Sequence, residues 1–85
     1  MKTFNGHRSW NAWNVSLWIN NDEGLYNFAL ECINNPVVRN NKISKPSLNM
    51  AVLRFMREYK GEKTPDGAEY NRLSVRLALE GLMEE

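Results

Sequence analysis

The sequence predicts an all-α fold, a small four-helix domain with a longer middle loop, and three observations carry that expectation. Apolar residues recur three and four positions apart in successive windows, the spacing of one helix face. Good N-capping residues (Ser9, Asp22 and Ser47) stand ahead of three of those windows. Proline and glycine punctuate the chain between them.

The first helix is expected over 10–20, with Ser9 as its cap. Trp10, Trp13 and Leu17 fit one face, and Ala12, Val15 and Ile19 another. A strand competes here, because Trp13, Val15, Leu17 and Ile19 also alternate with Asn14, Ser16, Trp18 and Asn20. Helix is preferred because no convincing partner strand offers itself, Val37-Val38 running straight into Arg39-Asn40-Asn41, and because three asparagines and a serine within 10–20 suit a strand interior poorly. The second helix is expected over 22–34. Leu25, Phe28, Ala29, Cys32 and Ile33 form its stripe, and Pro36 lies beyond its end. Residues 36–46, bounded by Pro36 and Pro46, read as a loop with an extended start. Ser47 opens a third helix over 47–60 with Leu48, Val52, Phe55, Met56 and Tyr59 inward, and Gly61 stops it. Thr64-Pro65-Asp66-Gly67 is a turn with proline at its second position. The last helix is expected over 68–83, or from a later cap at Ser74, with Leu73, Leu77, Ala78 and Leu82 as its stripe.

Eighty-five residues form a single domain, 1–85, near the small end of what folds alone. A core this small makes both monomer and homodimer live expectations. Cys32 is the only cysteine, which excludes an internal disulfide and a cysteine-based zinc site. No signal-peptide layout and no long apolar run is present, so the expectation is a cytoplasmic protein without a membrane span.

The net charge of +1 hides an uneven distribution: residues 1–38 sum to −1, 39–63 to +5 and 64–85 to −3. Asparagine is unusually frequent, with twelve in the chain and eight before residue 36. That density reads either as a surface built for hydrogen bonding or as many caps and turns.

Catalysis finds no support in the residues. His7 is the single histidine, and nothing local pairs it with a nucleophile or a carboxylate. Cys32 falls on an apolar helix stripe, where a thiol is buried and inert. The five glycines are scattered rather than gathered into a phosphate loop. The expectation is a non-enzyme with no cofactor and no metal. Nucleic acid is the second-choice partner: Arg54, Arg57 and Lys60 share a helix face and Arg39, Lys42 and Lys45 line the preceding loop. The competing interpretation is a solvated face with an Arg54–Glu58 pair at i, i+4. Three tryptophans in nine residues, Trp10 to Trp18, cannot share one helix face. Either Trp10 and Trp13 are core and Trp18 packs under the second helix, or one tryptophan, flanked by Asn14 and Arg8, stays exposed as a partner anchor.

The run Ser9-Trp10, Trp13-Asn14-Val15, Leu17-Trp18-Ile19 and Asn21-Asp22-Glu23-Gly24-Leu25-Tyr26 resembles a family of short, largely uncharacterised bacteriophage and plasmid proteins with a W-N-V-x-L-W-x-x-N-D-E-x-L-Y signature. Thr64-Pro65-Asp66-Gly67 is similar to the turn before their last helix. The resemblance covers about a third of the chain and implies a setting rather than an activity: a small mobile-element protein that binds a host protein, or a nucleoprotein complex such as a CRISPR–Cas effector, and blocks it sterically. Regulation of the element through nucleic acid and a virion role are the alternatives. The residues expected to meet a partner are Arg8, Asn14, Trp18, Arg54 and Arg57, or, against a basic groove, the acidic tail Glu80, Glu84 and Glu85. Charge reversal in that tail separates the two polarities.

Overall fold

A computed structural model describes residues 9–84. The four helices are α1 (Trp10–Asn21), α2 (Glu23–Asn34), α3 (Leu48–Tyr59) and α4 (Arg72–Met83), and a two-stranded antiparallel hairpin, β1 (Val37–Arg39) and β2 (Lys42–Ser44), stands between α2 and α3. The described residues are therefore mostly helical, with one small sheet.

The competition over α1 resolves as a helix. The Ser9 hydroxyl accepts from the Ala12 amide at 3.1 Å, which starts it. At its far end Asn20 and Asn21 fold back, their side-chain amides donating to the Ser16 and Leu17 carbonyls, each at 2.8 Å. Asp22 then serves two helices at once. Its amide donates to the Trp18 carbonyl, ending α1, and its carboxylate accepts from the Leu25 amide, starting α2. One residue thus makes the corner. Ser47 caps α3 in the same manner, and Gly61, at φ +84°, follows its end.

Two expectations need correction. The stretch 36–46 is not wholly a loop: Val37 pairs with Ser44, Val38 with Ile43 and Arg39 with Lys42. Asn40 and Asn41 connect them with φ of +50° and +65°, the left-handed pair that a tight two-residue hairpin turn demands and that asparagine tolerates. The two asparagines that interrupt the apolar run after Val37-Val38 are what closes the hairpin. Nor does the last helix begin at 68. Lys63 bridges to Glu69 and the Tyr70 amide donates to the Glu62 carbonyl, so residues 68–70 run back along 62–64. Asn71 and Ser74 then form a reciprocal capping box, and α4 begins at Arg72.

The core gathers Val15 and Ile19 of α1, Ala29, Cys32 and Ile33 of α2, Ala51, Val52 and Phe55 of α3, and Val75, Ala78, Leu79 and Leu82 of α4, closed by Ala68 and Tyr70. The stripes expected for α2 and α3 run through this core. That of α4 is rotated: Val75 and Leu79 point inward, whereas Leu73 is 54% exposed. Phe55 sits at the centre, fully buried, with its ring 4.9 Å from Tyr59 and 5.3 Å from Phe28. The hairpin shares none of this. No helix Cα lies within 8 Å of a strand Cα, and Val38 and Ile43 are among the most exposed apolar residues.

Candidate functional site

The Trp–Asn segment divides into three stripes along α1. Ala12, Val15 and Ile19 are buried in the core. Asn11, Asn14 and Trp18, spaced i, i+3, i+7, form a second stripe that faces the 62–70 turn. Trp10 and Leu17 lie on a third, 40% and 38% exposed. Of the two readings open for this segment, the one that buries Trp10 in the core does not hold.

The second stripe grips the turn. Asn11 clasps the backbone of Glu69, donating to its carbonyl at 2.9 Å and accepting from its amide at 2.8 Å. Asn14, only 2% exposed, accepts from the Thr64 hydroxyl at 2.6 Å and donates to Asp66 Oδ2 at 2.9 Å. The Trp18 indole N–H donates to the same Asp66 oxygen, also at 2.9 Å. Thr64 in turn accepts from the Ala68 amide, and Gly67, at φ +93°, donates to the Thr64 carbonyl to close the turn. The two donors from Asn14 and Trp18 hold the Asp66 carboxyl below its usual range.

Held in this way, the turn forms one wall of an open cleft of about 640 Å³, a size usual for ligand sites. Trp18, Leu25, Phe28, Tyr59, Pro65 and Tyr70 supply its apolar surface. Asp22, Glu58 and Glu62 stand around it, against the single cation Lys63. Burial pushes the Tyr59 phenol up, and Asp22, Glu58, Cys32 and Glu62 add to the rise. Tyr70 is raised by burial, with Tyr59 and Asp22 contributing. Both tyrosines therefore stay neutral donors across the ordinary pH range, in a field of negative sign. Among the described residues neither phenolic oxygen has a hydrogen-bond partner, and no buried polar side-chain atom is left unsatisfied, so both oxygens are accessible, on residues that line the cleft.

The residues expected to meet a partner are dispersed. Asn14 and Trp18 belong to the clamp; Asn14 is too deeply buried to offer its amide to a partner, and Trp18 is half-buried at the cleft edge. Arg54 is engaged: its guanidinium donates to the Cys32, Asn35 and Pro36 carbonyls at 3.3, 2.6 and 3.5 Å, capping the C-terminal end of α2. It does so in place of the Arg54–Glu58 pair. Arg57 is exposed on α3, and Glu80 and Glu84 are exposed on and just beyond α4. Arg8, His7 and Glu85 lie outside the described residues.

Asp66 as a hydrogen-bond hub was missed, as was the cleft. The available signal was the i, i+3, i+7 run of Asn11, Asn14 and Trp18 beside an apolar face, three side chains able to grip one element.

Cys32 is 3% exposed, and burial pushes its thiol from the ordinary 9.0 up to about 11. The native protein is therefore expected to react with a disulfide probe at pH 8 roughly 100-fold more slowly than the unfolded chain, since two units of pKa remove that much thiolate. Raised in the fold, this thiol weakens stability as pH climbs from 9.0 toward about 11, where only the unfolded chain ionises. Thiol-labelling rates with and without denaturant check the first expectation.

Among the described residues no group of three or more His, Cys, Asp or Glu side chains is placed to hold a metal ion. No helix among them is long and apolar enough to cross a membrane. No curated protein and no solved structure matches the chain. One family model does match, along residues 1–85, and the chain belongs to that family, a family of unknown function, DUF7249.

Proposed function

We propose that this protein acts by binding rather than by catalysis, as a small mobile-element accessory protein that seats on a host protein and blocks it. The observation that carries the reading is the cleft beside the α1–α2 corner. Its aromatic walls, open tyrosine hydroxyls and uncompensated carboxylates form a concave surface with both apolar area and directional polar groups. Nothing gathered there resembles a nucleophile with its base. The origin in a phage or plasmid, and a host-defence complex such as a CRISPR–Cas effector as the target, rest on the resemblance of the Trp–Asn segment.

The test is affinity capture by the full chain from nuclease-treated host lysate, set against Pro65→Trp, which fills the cleft from its exposed rim. A protein held by the wild type, resistant to nuclease and lost with Pro65→Trp, is the expected result. Capture abolished by nuclease would transfer the function to nucleic acid. Capture unaffected by Pro65→Trp would remove the cleft from it.

The hairpin favours that second reading on one count. Arg39 and Lys42 are direct cross-strand partners, an arrangement that costs stability unless an anion lies nearby, and both are exposed with Lys45 close behind. If nucleic acid binds, Arg39→Gln/Lys42→Gln lowers both its affinity and the steepness of its salt dependence.

A further inference from the structure

We propose that the cleft receives an arginine side chain of the bound protein, an inference that rests on the cleft being the docking face. Three features converge on that chemistry. The first is charge: Asp22, Glu58 and Glu62 face Lys63, a surplus of two negative charges. Asp22 spends one oxygen on the Leu25 amide, while among the described residues Glu58 and Glu62 have no ion-pair partner. Glu58 stands in the last turn of α3 and Glu62 just beyond its end, and both line the opening. The second is the wall, where Trp18, Phe28, Tyr59 and Tyr70 offer aromatic surface to a flat cation.

The third is Tyr70. It lines the cleft and is 5% exposed, yet its hydroxyl has no partner among the described residues. A phenolic oxygen in that position accepts a hydrogen bond from a donor that enters. An anionic ligand is repelled here, and an aliphatic side chain would leave the carboxylates and the phenol unanswered. A guanidinium answers all of them: it is planar, carries five N–H donors, stacks on aromatic faces and pairs with carboxylates. The lysine ammonium satisfies the charge but not the stacking.

The experiment is an amide and indole NMR titration of the full chain with the capped tripeptide Gly-Arg-Gly. The same peptide with citrulline, which keeps the shape and loses the charge, is the control. Arginine is expected to shift the Trp18 indole N–H and the Gly24 amide saturably, and citrulline to bind about tenfold more weakly or worse. Glu58→Gln/Glu62→Gln, whose spectrum reports directly that it is folded, should weaken the arginine peptide by a similar factor. Equal shifts from arginine and citrulline, an arginine affinity unchanged in that variant, or no saturable shift would each overturn the inference. The capture experiment separates the two levels. Loss with Pro65→Trp but not with Glu58→Gln/Glu62→Gln keeps the cleft and removes the arginine; persistence with both removes the cleft as well.

Discussion

Phe55→Ala is expected to lower the stability of the fold by about 3–5 kcal/mol, the range for deleting a buried aromatic ring. Phe55 is fully buried and its ring meets those of Phe28, Tyr59 and Tyr70, so one substitution opens a void shared by three elements. A domain of this length holds roughly 4–13 kcal/mol in all. The variant is therefore expected to show a large fall in its urea midpoint. The control is Leu53→Ala on the same helix: at 48% exposure its loss should stay below about 1 kcal/mol. Equal losses at both positions would contradict the placement of the core. On the proposed function the effect also reaches binding, since Tyr59 and Tyr70 line the cleft and their rings meet that of Phe55.

The second large effect is expected at Asn14. Asn14→Leu retains bulk but deprives the buried Thr64 hydroxyl of its acceptor, which costs about 1–3 kcal/mol. It also removes one of the two donors that keep Asp66 ionised. The pH dependence gives a specific signature. A carboxylate depressed in the fold contributes stability above its unfolded value of 3.8 and loses it as pH falls through the lower folded value. Stability measured across that acid range should therefore fall less steeply in Asn14→Leu than in the wild type. Because Thr64 and Asp66 carry the turn that bears Lys63, Pro65 and Tyr70, the proposed function has partner affinity drop along with stability. A variant that lost affinity with an unaltered acid profile would show that Asn14 acts by some other route.

These two residues mark what was and was not legible in the sequence. Phe55 lay on a helix stripe of conventional spacing, and burial followed from periodicity alone. So did the α2 and α3 faces, the Ser9, Asp22 and Ser47 caps and the turn at 64–67. Asn14 lay outside that logic. Its role depends on Thr64 and Asp66, some fifty positions away in the chain, and a pattern confined to one helix says nothing of such a partner. The asparagine excess was legible only as a choice between caps and a binding surface. In the fold much of it is spent on the chain itself: Asn11 and Asn14 on the turn, Asn20 and Asn21 on helix carbonyls, Asn40 and Asn41 in a reverse turn, Asn71 as a cap. The hairpin escaped because three-residue strands with one exposed apolar pair have no buried face to impose a period. Arg54 escaped for a different reason: a charge on a helix looks the same from sequence whether it meets solvent or the carbonyl end of a neighbouring helix.

The clamp between α1 and the 62–70 turn joins the first helix to the last third of the chain, and α1 packs most extensively against α4. During synthesis, then, α1 emerges from the ribosome long before anything exists for it to close upon. The earlier part of the chain lacks Tyr70, Val75, Ala78, Leu79 and Leu82, a large share of the core. Folding of this core must wait until α4 has emerged, because the contacts that close it are distant in the chain. A message cut short before α4 would yield a product with a bared apolar core and no route to the native state, fit chiefly for proteolysis. Quality control is thereby built into chain order: only a product translated through α4 acquires the packed core against which the cleft is held.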